Sequence, residues 1–187
     1  MLPYSLDITT LLFYNYLYHA TEDRILTKID LAYIAGIVDG EGYVGIKKAA
    51  LRKDCHHPGY HARIQIRMVD EPAIHFIASI LGGNYYSEKP HAEKGKPLFC
   101  YQASDLRASE ILQTLLPFLQ VKRNQALNVL EFRKLQSQGR QHRTKILGYR
   151  NFPNNHGTPR QVPNLAFSDE YVQKCEAFYL RAKELNS

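Results

Sequence analysis

The stretch Ile34-Ala35-Gly36-Ile37-Val38-Asp39-Gly40-Glu41-Gly42 constrains this chain more than any other. It joins a run of small and branched apolar residues to two carboxylates set among glycines. An Asp-Gly pair after branched residues is also a hairpin signal, so the wider window has to decide. From Asp30 onward, Leu31, Ile34 and Val38 fall on one helical stripe, while Ala32, Gly36 and Gly40 recur every fourth residue on another. Thr27 or Asp30 is placed to cap the start. The segment therefore reads as a helix with two faces. The large apolar face fills its own core, and the nearly bare face lets a second helix approach closely. No other segment has a comparable small-residue stripe ending in an acidic, glycine-rich turn. The simplest neighbour is a second copy of the chain, related by a two-fold axis that brings two Glu41 side chains together. A neighbour within the same chain is the alternative.

Downstream the period changes from helical to alternating. Tyr60, Ala62, Ile64, Ile66 and Met68 share one face of a strand, and His61, Arg63, Gln65, Arg67 and Val69 share the other. From Tyr43 to Lys53, Val44 and Ile46 bury while Tyr43, Gly45 and Lys47 join the polar side. Asp70-Glu71-Pro72 starts a helix that stops at Gly82-Gly83. A second hairpin follows, from Tyr85 to Lys89 and from Leu98 to Ala103, and then helices over Asp105 to Leu116 and Val121 to Gln136. This order predicts an α+β domain with helices on one face of an antiparallel sheet and the other face open.

A second segment, Leu116-Pro117-Phe118-Leu119-Gln120-Val121-Lys122-Arg123-Asn124-Gln125-Ala126, completes a pattern with the first. Together they resemble the LAGLIDADG homing endonucleases in their single-motif, homodimeric form. Ile34 to Gly42 is similar to the family's signature, with Asp39 kept and Glu41 in place of the final Asp, and Lys122 stands where the family carries its active-site lysine. The resemblance runs from about Leu31 to Leu135. It implies an αββαββα domain whose sheet binds double-stranded DNA and which hydrolyses one phosphodiester per strand with a divalent metal. Mg²⁺ is the expected cofactor, with Mn²⁺ an alternative and Ca²⁺ giving a non-cleaving complex. Glu41 and the Gly40 carbonyl would hold the metal, Lys122 would stabilise the phosphate, and Arg67 or Gln65 would order water. Ala32, Gly36, Asp39 and Gly40 would meet the second copy, with Asp39 bracing the helix ends. Arg and Gln on a strand pair suit base edges in the major groove. DNA contacts are accordingly expected from Tyr43, Lys47, His61, Arg63, Gln65 and Arg67, and from Tyr85, Ser87, Lys89 and Gln102 on the second hairpin. A non-cleaving relative, either an RNA maturase or a DNA-binding regulator, is the rival reading.

Charge supports a polyanion partner through its position more than its sum. Of 187 residues, 24 are Lys or Arg and 18 Asp or Glu. Between Gln120 and Leu165 the basic residues are Lys122, Arg123, Arg133, Lys134, Arg140, Arg143, Lys145, Arg150 and Arg160, with Glu131 the lone acid. The stretch from Gly139 to Asn164, rich in Gly, Pro and Asn, reads as an irregular basic arm in which Arg140, Arg143 and Lys145 meet phosphates. Four parts result: a packing helix in 1–26, the endonuclease core in 27–138, the arm in 139–167, and a closing helix in 168–187. Cys55, Cys100 and Cys175 are odd in number and far apart, which argues against a disulfide framework and for a reducing interior. Cys55-His56-His57 with His61 has zinc-type donors, but no second cluster pairs with it, so it reads as an exposed loop tip. Leu11 to Tyr18 is too short to span a bilayer, and nothing in the pattern suggests a small-molecule substrate.

Overall fold

A computed structural model describes residues 27–51, 53, 55–89, 95–152 and 160–187. The helix expected in 1–26 lies outside them. The opening segment is helix α1, Lys28–Glu41. Thr27 and Asp30 form a reciprocal capping box: the Asp30 amide donates to Thr27 Oγ1 at 3.1 Å, and the Thr27 amide donates to Asp30 Oδ2 at 3.2 Å. Strands β1 (Gly42–Lys48) and β2 (Tyr60–Met68) follow, then helix α2 (Glu71–Leu81), β3 (Tyr85–Glu88) and β4 (Leu98–Ser104). Helices α3 (Asp105–Leu115) and α4 (Arg123–Ser137) complete the αββαββα core, with one helix to spare.

The four strands form one antiparallel sheet in the order β1-β2-β4-β3. Its inner face carries Val44, Ile46, Ala62, Ile64, Ile66, Tyr101 and Ala103 into a core shared with Ile34, Val38, Ile74, Ile77, Ile111, Leu112, Leu115, Val129 and Phe132. The alternation read from β2 is the one observed; in β1 Val44 and Ile46 are buried and Tyr43 and Lys47 exposed as expected, but Gly45 is buried, covered by the Tyr43 ring and Asn186. Burying this set drives the fold, at about 25 cal/mol per Å² of apolar surface removed from water.

The stretch after α4 departs from the expected irregular arm. A 3₁₀ turn, Gly139–His142, leads into β5 (Lys145–Phe152) and β6 (Arg160–Ala166), which pair with each other and not with the main sheet. The sequence hid the second of these strands because a proline interrupts it: Pro163 lies inside β6, where a two-stranded ribbon tolerates a residue with no N–H. Helix α5, Asp169–Glu184, closes the chain, capped by Ser168. It packs beside β1, where Asn186 Nδ2 donates to the Val44 carbonyl at 3.0 Å. Glu176 anchors the same helix by accepting from Lys48 Nζ and the Tyr60 hydroxyl. No helix among the described residues is long and apolar enough to cross a membrane.

Candidate active site and nucleic-acid face

The two segments singled out in the sequence meet in space. Asp39, in the last turn of α1, accepts the backbone N–H of Gln120 at 2.8 Å through one carboxylate oxygen and that of Lys122 at 2.8 Å through the other. The Lys122 ammonium returns the contact by donating to the Asp39 carbonyl at 2.5 Å. This carbonyl lies in the last turn of α1, where intrahelical donors run out, so a cation there is well placed. Lys122 is also the residue before α4, whose start has no side-chain cap of its own. Asp39 therefore does for the loop before α4 what a capping residue would do from within it. Partial burial pushes the Asp39 carboxyl up, but the backbone N–H groups of Gln120, Lys122 and Val121 and the Lys122 charge outweigh it and hold the group below its ordinary value.

Glu41 ends α1 beside this clamp. It is exposed and has no hydrogen-bond or ion-pair partner among the described residues. Gly42 follows in an extended conformation, and its N–H donates to the Val38 carbonyl. A Cβ on Gly42 would lie 2.6 Å from that carbonyl oxygen and 2.8 Å from the Val38 Cα, so this junction requires glycine. The described residues of one chain contain no cluster of three or more His, Cys, Asp or Glu side chains able to hold a metal. One chain offers the Glu41 carboxylate and the neighbouring Gly40 carbonyl, both hard oxygen donors.

The bare stripe of α1 is open. Ala32, Gly36 and Gly40 are exposed, and a Cβ built on Gly36 or Gly40 would meet nothing within 4 Å. No neighbour within the described chain requires these residues to be small. Ile29 and Tyr33 extend the same face and are 81% and 54% exposed, so the face tapers from bulky at its start to bare at Gly40. Asp39, expected at paired helix ends, has both oxygens engaged within its own chain.

The polar face of the sheet gathers most of the expected contact residues. Directly opposed residues share a face, and the register sets Tyr43 against Gln65 and Gln65 against Gln102, then Lys47 against His61. Gln65 Nε2 donates to Cys100 Sγ at 3.1 Å, and the Arg63 Nε is buried without a partner. Gly42 pairs with Ile66, so Arg67 lies at the end of β2 nearest the clamp. Its guanidinium turns instead to Glu88 on β3.

The second hairpin requires a correction of one residue. Tyr85 and Ser87 oppose Tyr101 and Phe99, which belong to the helix-covered face, and Tyr85 donates to Glu71 at 3.0 Å. Tyr86 and Glu88 oppose Cys100 and Leu98 and so take the polar face. Lys89 lies past the strand. The chain leaves α2 through Gly82 and Gly83, both with positive φ, and this turn rather than strand composition sets the parity. Among the other expected residues, Lys145 pairs with Asp169 at 3.0 Å, Arg143 lies 4.9 Å from the centre of the Phe167 ring, and Arg140 is exposed. The histidines of the zinc-type cluster go separate ways: His57 packs against Phe167 and His61 pairs with Asp105 at 2.9 Å.

No family model and no curated protein matches the sequence. Solved structures do. The chain superposes on the homing endonuclease I-CvuI in complex with an I-CreI target (TM-score 0.59, 18% identity, 84% of this chain and 82% of that one). It also superposes on the archaeal intron-encoded homing endonuclease I-Vdi141I complexed with DNA (TM-score 0.60, 14% identity, 84% of each chain). On the LAGLIDADG homing endonuclease I-SmaMI bound to cleaved DNA (TM-score 0.55, 13% identity), the match covers 95% of this chain and 52% of that one. At such identities the common property is the architecture: this chain has the fold of the LAGLIDADG homing endonucleases.

Proposed function

We propose that this protein is a site-specific endonuclease for double-stranded DNA that works as a homodimer with a divalent cation. The observation that carries the reading is the clamp between the end of α1 and the loop before α4. It brings Lys122 against the backbone of Asp39, two residues from an exposed and unpartnered Glu41.

Each residue then has a role set by its chemistry. Glu41 and the Gly40 carbonyl hold the cation, whose hard oxygen donors suit Mg²⁺. When bound, the cation lowers the pKa of the attacking water and offsets charge on the leaving oxygen. Lys122 supplies a compact positive charge to the phosphate, and Asp39 fixes where that charge sits. Arg67 and Gln65 lie toward the strand end closest to the clamp and would order water there once a bound phosphate draws Arg67 from Glu88 and Gln65 from Cys100. One chain offers one carboxylate, and a second copy packed along Ala32, Gly36 and Gly40 supplies the other, so that both strands of a near-palindromic duplex are cut. I-CvuI was crystallised on DNA with Mg and with Ca, which supports the cation and the duplex as ligands here.

The test is cleavage of a plasmid library that contains the flanks of the protein's own gene, with Mg²⁺ present. Glu41→Gln is expected to lose cutting by about 10²-fold or more while keeping DNA binding. Unchanged cutting would reject the metal role of Glu41. A wild-type protein that binds nucleic acid and never cuts would favour the maturase or regulator reading.

A further inference from the structure

A groove of about 460 Å³ runs between the starts of α1 and α2, and the nuclease reading does not use it. Ile29 and Tyr33 line it from α1, and Pro72, Ala73 and Phe76 line it from α2. The Tyr33 and Phe76 rings meet edge to face with centroids 5.7 Å apart, so the two helices brace each other across it. Ile29 stands at its mouth and is 81% exposed. A large apolar side chain left open beside an apolar groove marks a surface that takes a cover. The rim carries the carboxylates of Asp30 and Asp70, and Asp70 accepts the Ala73 N–H at 2.9 Å. No basic residue lines the groove, so it repels a phosphate backbone. Its occupant is apolar and uncharged.

We infer that the groove is the seat of this chain's own segment Leu11-Leu12-Phe13-Tyr14-Asn15-Tyr16-Leu17-Tyr18. The sequence marks a packing segment there and leaves open what it packs against. Reach favours this groove: Thr27 caps α1, and the groove opens at Ile29, two residues on. Residues 19–26 link the segment to Thr27, and a linker of that length spans at most about 30 Å. Chemistry favours it too. The segment holds no charged residue, so it enters between two carboxylates without repulsion. Its Leu and Phe side chains match the apolar floor, and its tyrosines offer apolar rings to the floor and hydroxyl donors to the rim. The charges of 1–26 fall on either side, Asp7 before it and Glu22, Asp23 and Arg24 after it. A second copy is the competing occupant. A pair formed along Ala32, Gly36 and Gly40 would be held off this end by the bulk of Ile29 and Tyr33, which leaves the groove to the segment. The seat belongs to one chain and holds whether or not the protein cuts DNA.

The experiment places photoreactive p-benzoyl-phenylalanine at Tyr33 in the full chain and mixes unlabelled with isotope-heavy copies before irradiation. Mass spectrometry of the digest then names the attached peptide and whether it came from the same copy. The expected product joins position 33 to residues 11–18, light to light and heavy to heavy. The same probe at Tyr149, 63% exposed on the β5–β6 hairpin, is expected not to capture that segment. Ala73→Asp adds a third carboxylate to the groove and is expected to cut the yield about tenfold or more. An acid suits the first turn of α2, so the fold is retained. Leu12→Ser/Phe13→Ser/Leu17→Ser leaves the groove untouched and is expected to give the same loss. Attachment to any other segment, light-to-heavy products, or no product at position 33 would overturn the proposal. Equal capture at Tyr149 would overturn it as well, since the segment would then adhere to any apolar surface. So would a yield that survives both sets of substitutions.

Discussion

At the scale of single residues, Asp39 organises the site. Asp39→Asn keeps the shape but replaces an acceptor with an NH₂ that faces a backbone donor, so a loss of about 1–3 kcal/mol is expected in denaturant melts. The pH dependence has a definite sign. The folded-state carboxyl is held below its ordinary value, so its stabilisation is fully present above that value and is lost as pH falls through the lowered one. The Asn variant should lack this acid-side loss, and a variant as acid-sensitive as the parent would contradict the assignment. Gly42→Ala is expected to cost about 1–3 kcal/mol, because the added carbon meets the backbone of Val38 and not a side chain that can move. Asp39, Glu41 and Lys122 were all visible in the sequence, each in its own segment. Their coupling was not. The bond from Lys122 to Asp39 spans 83 positions, and no local pattern records it. Asp105 was invisible for another reason: it adopts a φ of +50° where β4 enters α3, and its three partners come from two distant elements.

Elements were legible where a period runs long enough to be unambiguous. The helix over Lys28–Glu41 and the strand over Tyr60–Met68 carry their burial patterns openly. The four residues of β3 do not, since both of its faces are partly polar and only pairing with β4 reveals which side is which. The hairpin of β5 and β6 was missed because its apolar residues serve no core. Ile146, Tyr149 and Leu165 are 54%, 63% and 40% exposed. Its two ends are held together by the Ser168 N–H donating to the His142 carbonyl at 2.8 Å. Replacing residues 145–166 with a short glycine linker should therefore leave the core melting within about 4 °C of the parent, or roughly 1 kcal/mol. A collapse of the melt would mean that the hairpin supports the core. Helix α5 is different, because Glu176 ties it to β1. Its carboxyl is held low, first by Lys48 and then by Tyr60, so this tie persists at neutral pH and is lost as pH falls through the lowered value. Protection of the α5 amides, relative to their intrinsic exchange rate, should fall at acid pH, and Glu176→Gln should show that lower protection at neutral pH.

For the whole molecule, the open stripe on α1 sets the expectation of a pair. Gly36→Leu adds a side chain where the chain itself leaves space, so the monomer should fold as before. Sedimentation is expected to show a dimer for the wild type and a loss of association of about tenfold or more for the variant, equivalent to at least 1.4 kcal/mol. Monomers for both, with and without DNA, would reject the pair. In such a pair the taper from Ile29 and Tyr33 to Gly40 would make the two helices splay at their starts and converge at Glu41. The clamp has a wider consequence. Its contacts run between Asp39 and the 120–122 loop and involve none of Tyr43, Lys47, Arg63 or Gln102. Under the proposed function, drift at those surface positions would rewrite which sequence the sheet prefers while the reacting groups keep their geometry. A lineage built this way would change its address without relearning its chemistry.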